Sequence, residues 1–321
     1  MMPPGGRQHD AAWGGARVWP DNGRSPFAFR MPPSRPRPSL SPPSSASRGP
    51  ASVRTGPRTG RAACRAGLAA LALCGAAWAH AADKPDCSAP LTLALHEHGL
   101  LYSGDTGEGI DKDIADEMVR RSGCRIGLQV MPRARIWQLI ESGALDFSLS
   151  GISTEARERF AAFAWYVSNK YYLLVRKDAG VDSVRQFEAN PGLKLGVIRS
   201  FRYNPGGNRL VDRLAASQRL TQAATLDPLY QALLDGRVHA MIIEPFDYPT
   251  VQQAAIRAQT VILEFDDPPV PHGLIMSRKS LSPAQQQAWR ALIEGMRADG
   301  TMRRIFEKYF APDLARTMTQ F

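Results

Sequence analysis

The segment Ser150-Gly151-Ile152-Ser153-Thr154-Glu155-Ala156-Arg157 places small hydroxyls and a guanidinium at what reads as a strand-to-helix junction. It follows the apolar stretch Leu145 to Leu149 and runs into charged helix formers, Glu155 to Arg159. Hydroxyl residues at such a junction act as helix caps and leave backbone N–H groups free. Those groups, the hydroxyls of Ser150 and Thr154 and the fork of Arg157 suit one small anion. A carboxylate fits best, because arginine offers two parallel donors to its two oxygens. The same residues also make a plain capping box, with Thr154 as the cap and Arg157 in solvent. Both readings stand on this segment alone.

The elements around it decide what the segment is built into. Leu91 to Leu95 reads as a strand, followed by a polar loop over 96–108 that carries Tyr102. Asp111 is expected to cap a helix over 114–122, with Ile114, Met118 and Val119 on one face. A strand over 125–131, a short helix over 136–142 stopped by Gly143, and a strand over 145–150 complete a β-α-β-α-β run. Such a run predicts a parallel sheet with ligand loops at the carboxyl ends of its strands. A second copy follows. Strands are expected over 171–176, 193–198 and 238–243, and helices near 208–217 and over 228–234. The last of these strands delivers Glu244, and the loop Arg199-Ser200-Phe201-Arg202-Tyr203 follows the strand at 193–198. Pro268, Pro269 and Pro271 mark a linker. A strand over 272–277 and helices over 283–298 and 301–310 close the chain.

Charge is distributed unevenly along the 321 residues. Residues 1–81 hold eleven arginines and no lysine, against only Asp10 and Asp21, which accounts for +9 of the net +10. The remainder carries 29 basic and 28 acidic side chains, so the high pI describes the leader and not a nucleic-acid surface. Residues 1–53, rich in Pro, Gly, Ser and Arg, form a disordered or untranslated leader. Arg54, Arg58, Arg61 and Arg65, the apolar run Ala66 to Trp78 and Ala79-His80-Ala81 form a secretory signal peptide over 54–81. Export puts Cys87 and Cys124 in an oxidising compartment, each just before one of two strands expected to be neighbours. A disulfide between them stabilises by about 4 kcal/mol on the chain-entropy model.

Four motifs, in this order and spacing, resemble the periplasmic solute-binding proteins of the polar amino acid class, served by ABC importers. They are Gly109-Ile110-Asp111-Lys112-Asp113; Gly143-Ala144-Leu145-Asp146 with Ser150 to Arg157; Asp235-Gly236-Arg237-Val238-His239-Ala240; and Arg297-Ala298-Asp299-Gly300-Thr301. The resemblance spans nearly all of 88–312. It implies a two-lobed, type II periplasmic binding (venus flytrap) α/β fold, each lobe a mostly parallel sheet flanked by helices. Two chain crossings would separate lobe 1 (82–168 and 271–321) from lobe 2 (169–270). It implies further that Arg157 clamps a ligand carboxylate with help from Ser150, and that Glu244 takes an α-ammonium.

This chain departs from the pattern at two places. Ile152 stands where many members have a second serine, and the 199–203 loop, with its two cations, replaces a short Gly-Thr. Arg133 and Arg135 both precede a helix and could face the cleft, and Arg135 is preferred because it matches an arginine seen in part of the family. The candidate ligand residues are Arg157, Ser150, Thr154, Glu244, Tyr102, Arg135, Arg199 and Ser200. Asp111 is assigned to capping, and Trp137 and Trp165 to packing. His96, His98, His239 and His272 lack metal spacing, and no cofactor motif is present. The expected protein is a monomeric periplasmic binder that delivers an amino acid or related carboxylate to an ABC permease, without catalysis. The alternatives are a secreted arogenate or prephenate dehydratase on the same fold, using Glu244 as acid or base, and a sensory or docking module. The ligand itself is not legible, because pocket walls come from loops of variable composition.

Overall fold

Leu91–Leu95 (β1), Ile126–Val130 (β2) and Phe147–Gly151 (β3) pair in parallel, with β1 between the other two. A computed structural model describes residues 84–321. The expected leader, signal peptide and cleavage point fall outside the described residues. Helices Ile110–Ser122 (α1) and Arg133–Ser142 (α2) connect these three strands. In α1 the residues at helical spacing, Ile110, Ile114 and Met118, are all fully buried. The short helix Glu155–Glu158 (α3) then leads into the long strand Ala161–Asn169 (β4).

After β4 the chain enters a second sheet, through Tyr172–Arg176 (β5), helix Val184–Ala189 (α4) and Leu195–Ile198 (β6). Pro205–Ala216 (α5), Leu220–Ala223 (β7), Asp227–Leu234 (α6) and Ala240–Ile243 (β8) follow. Helices Tyr248–Val251 (α7) and Ala254–Gln259 (α8) and strand Thr260–Glu264 (β9) end this part. The chain returns along Val270–Ser277 (β10) and finishes with helices Pro283–Ala298 (α9), Thr301–Phe306 (α10) and Pro312–Thr319 (α11).

The two sheets run β2-β1-β3-β10-β4 and β7-β6-β8-β5-β9, the two-lobed type II architecture. Both are mixed where mostly parallel sheets were expected. β10 is antiparallel to β3 and β4, and β5 is antiparallel to β8 and β9. The strands that carry the chain across cannot join the βα series and so pack against it in the opposite sense. Pro271, expected in a linker, lies within β10 opposite Ser168, before that strand begins its pairing with β3 at Gly273.

Asp111 does not cap α1. Gly109 precedes the helix, and Asp111 sits fully buried in its first turn. The β1–β2 pairing brings Cys87 and Cys124 together in a disulfide, their Cα atoms 4.8 Å apart across a separation of 37 residues.

One excursion ties the lobes. Ile243 and Val251 belong to an apolar cluster of lobe 2, whereas Phe246 between them is fully buried in the core of lobe 1. There it meets the rings of Phe306 and Phe310 at 6.3 and 5.9 Å. Its carbonyl accepts the N–H of Leu100 at 2.8 Å. Gly99 adjoins it at φ 47°, and a Cβ there would lie 2.1 Å from the same carbonyl oxygen, so only glycine fits.

Removing the disulfide by Cys87→Ala is expected to cost about 2–5 kcal/mol of stability in urea unfolding. Ligand affinity should change little, because the bridge lies at the amino ends of β1 and β2, opposite the strand ends that carry the site. A change below about 0.5 kcal/mol would show that the bridge constrains nothing.

Candidate functional site

The carboxyl ends of the strands meet between the lobes around a cavity of about 20 Å³. Leu101, Arg133, Trp137, Ser150, Gly151, Ile152 and Arg157 line it from one side, and Tyr171, Phe201, Arg202 and Glu244 from the other.

Arg157 is placed by a short helix that Thr154 begins. The Thr154 hydroxyl accepts the backbone N–H of Arg157 at 3.2 Å, so Thr154 serves as the cap and does not line the cavity. The Arg157 side chain is nevertheless buried, with 9 % of its surface exposed. Its Nη1 donates to the Ile152 carbonyl at 2.9 Å and its Nη2 to the Ser200 carbonyl at 2.8 Å. The guanidinium carbon lies 3.9 Å from the centre of the Trp137 ring. Arg157 forms no ion pair among the described residues. Burial, with Arg133 and Arg202 nearby, pushes its pKa down to about 9. The capping box and the buried guanidinium thus coexist in one segment.

Ser150, the last residue but one of β3, adopts φ 51°, a left-handed conformation that costs a non-glycine residue energy. Its N–H donates to Tyr166 Oη and its hydroxyl to Asp111 Oδ1, both at 2.6 Å. The other Asp111 oxygen has no partner among the described residues. Burial pushes the pKa of Asp111 up to about 6, against the opposing pull of Ser150, Arg133 and Tyr166.

Arg133 is the cleft arginine of α2, and Arg135 is exposed. The buried face of that helix runs Arg133, Ile136, Trp137, Ile140. Helical spacing from Ile136 and Ile140 selects position 133 and leaves 135 pointing away. Arg133 donates to the Leu149 carbonyl at 3.1 Å and lies 3.0 Å from His96 Nε2. Like Arg157, it forms no ion pair among the described residues.

Of the lobe 2 loop, Phe201 and Arg202 line the cavity and Ser200 contributes its carbonyl. Arg199 and Ser200 themselves are exposed. Phe201 stacks on His98 with ring centres 5.1 Å apart, and Arg133 lies 5.6 Å from the centre of its ring. Tyr102 packs against the lobe 1 core and is not part of the cavity wall. Trp137, expected only to pack, is the platform beneath Arg157.

Glu244 is 5 % exposed. Its Oε1 lies 3.0 Å from His98 Nε2, its Oε2 accepts from Asn169 Nδ2 at 3.0 Å, and His272 Nε2 stands at 3.7 Å. Burial alone would raise Glu244, but His98, His272 and Asn169 bring it below its ordinary value. His98 is conversely raised: burial opposes its charge, and Asp247 and Glu244 outweigh that. His98 thus enters the site beside Glu244 and His96 beside Arg133, whereas His272 gives its Nδ1–H to the Val270 carbonyl at 2.9 Å and its Nε2 accepts from the Tyr171 hydroxyl at 2.7 Å. Alternation at the end of β1 puts His96 and His98 on one side, their rings 5.5 Å apart, a signal present in the sequence. No three His, Cys, Asp or Glu side chains among the described residues are grouped to hold a metal ion.

The model of the bacterial extracellular solute-binding proteins, family 3, matches residues 98–312. Among curated proteins none matches the chain in sequence. Several solved structures share the fold. An ancestral arginine-binding protein bound to arginine superposes with a TM-score of 0.59 at 22 % identity, over 70 % of this chain and all of that one. The arginine-, lysine-, histidine-binding protein ArtJ from Geobacillus stearothermophilus gives 0.57 at 17 %, over 69 % and 95 % of the two chains. A putative binding component of an ABC transporter from Wolinella succinogenes, complexed with lysine, gives 0.57 at 19 %, over 69 % and 96 %.

The Asp111 carboxyl makes a pH test of this geometry. The folded state holds its proton between about pH 4 and about 6 and the unfolded chain does not, so its burial penalty grows as pH rises through that window. Asp111→Asn is neutral throughout. Urea unfolding should therefore show the variant gaining about 3 kcal/mol on the parent between about pH 3.5 and about 7. A difference constant with pH would show that Asp111 is not buried as described.

Proposed function

The chain belongs to the bacterial extracellular solute-binding proteins, family 3, and on that premise we propose that it captures a small carboxylate-bearing solute, an amino acid or a related acid, between its lobes. The observation that carries this reading is Arg157, a buried guanidinium on the wall of the cavity, stacked on Trp137 and without a carboxylate partner. A buried cation without a counter-charge is costly, and a ligand carboxylate is the group that removes the cost. Ser150 and the Gly151 backbone lie beside it. Closure buries the pair where its attraction exceeds that in water. The likeness to amino acid-binding structures supports a ligand of this size.

The protein is proposed to work in the periplasm, as a monomer, and to hand its ligand to an ABC permease. It is proposed to have no catalytic activity. Glu244, the carboxylate a dehydratase would use, is held by His98 and Asn169. Incubation with prephenate or arogenate should give no aromatic product above the uncatalysed rate. Turnover abolished by Glu244→Gln would make the protein an enzyme.

Calorimetric titration tests the capture itself, with the acid that raises the melting temperature most in a ligand screen. Arg157→Ala should weaken binding by about 2–5 kcal/mol, roughly 30- to several-thousand-fold. Arg157→Lys should restore only part of this, because a lysine cannot make the two-pronged contact. Equal affinities in all three proteins would remove Arg157 from the site.

A further inference from the structure

An α-amino acid brings two charges to its site. Its carboxylate needs a cation, and its ammonium needs an acceptor with room and free lone pairs. Among the described residues the only carboxylate on the cavity wall is Glu244, and two side chains of the protein already occupy its oxygens. His98 Nε2 lies 3.0 Å from one oxygen and Asn169 Nδ2 donates to the other at 3.0 Å.

His98 is not a loose partner that a ligand would push aside. Phe201 from the opposite lobe stacks on its ring at 5.1 Å. Asp247 Oδ1 lies 3.4 Å from its Nε2. The next residue, Gly99, is pressed against the Phe246 carbonyl. The other charged groups on the wall are all cations. Arg133 and Arg157 line the same cavity with no carboxylate of their own, and Arg202 stands beside them. An ammonium placed there would meet like charges at short range and find its acceptor occupied, a desolvation and repulsion that select against it.

We infer that the site accepts a small organic acid without an amino group, such as a 2-hydroxy or 2-oxo acid, in preference to the α-amino acid of the same carbon skeleton. His98 is the residue that sets this preference, because it supplies from within the protein the positive partner that an ammonium would otherwise provide. The inference rests on the proposed capture of a carboxylate by Arg157 and adds to it the identity of the group beside that carboxylate.

The experiment uses the mature protein and matched pairs: each standard amino acid against the 2-oxo and 2-hydroxy acid of its skeleton, screened by thermal shift and then titrated by calorimetry. The expected result is that the tightest ligand lacks an amine and binds at least about tenfold better than its amino acid counterpart. His98→Gln, uncharged and of similar size, leaves the Glu244 charge uncompensated. It should raise the affinity of the amino acid relative to the acid by about tenfold or more. An amino acid that binds as well as or better than its acid, with binding lost in Arg157→Ala, would overturn the inference and leave carboxylate capture standing. A preference unmoved by His98→Gln would overturn the role of His98 and the inference with it. Binding by no member of any pair, or binding indifferent to Arg157→Ala, would overturn the capture reading and this one together.

Discussion

Burying an arginine without a counter-charge is the constraint around which the cleft is organised. Removing a guanidinium from water costs several kcal/mol, and packing alone does not repay it. Here the charge is spread over two backbone carbonyls and the face of Trp137. Each of those contacts replaces part of the lost hydration, and none neutralises the charge. The carbonyl of Ser200 comes from the opposite lobe, at a residue held at φ 63°. The lobes therefore meet partly through the backbone's effort to satisfy Arg157. A ligand carboxylate would do the same more strongly, through charge-assisted bonds.

The other contacts across the cleft are also made by the protein itself. Phe246 leaves lobe 2 for three residues and fills a place in the core of lobe 1. Two residues before it, Glu244 meets His98, and immediately after it, Asp247 accepts the Glu244 N–H at 3.0 Å. An apolar anchor flanked by a buried ion pair joins two sheets that otherwise carry separate cores. The apolar part supplies attraction without direction, and the ion pair fixes register. Phe201, lying on the two histidines, completes the seal.

Much of this fold is legible in the sequence, and the failures have physical causes. The β-α-β runs, the strand at 91–95 and the pairing of Cys87 with Cys124 follow from apolar period and caps. Strand β4 escapes because Ala161–Asn169 is buried on nearly every residue and shows no alternation. Strands β7 and β9 escape because they are short and lie at sheet edges, where burial is partial. Among site residues, Arg157 and Ser150 are found by their junction, since capping and anion binding use the same groups. Asp111 is misread as a cap for the complementary reason: an acid near a helix start has that ordinary role, and only tertiary packing turns it to Ser150. Arg133 and His98 are visible to periodicity, through Ile136 and Ile140 for the one and through alternation with His96 for the other. That Glu244 is occupied is invisible in any local pattern, because Asn169 and His98 lie 75 and 146 residues away in the chain.

The central claim is that the Arg157 guanidinium receives a carboxylate. Its side-chain N–H resonances report this directly in protein labelled with ¹⁵N-arginine, once assigned by their loss in Arg157→Lys. With an acid that binds by calorimetry, those resonances should move to a new position in proportion to occupancy, as the carbonyl and ring contacts give way to a charged acceptor. Calorimetric binding that leaves the Arg157 resonances where they are would contradict the account.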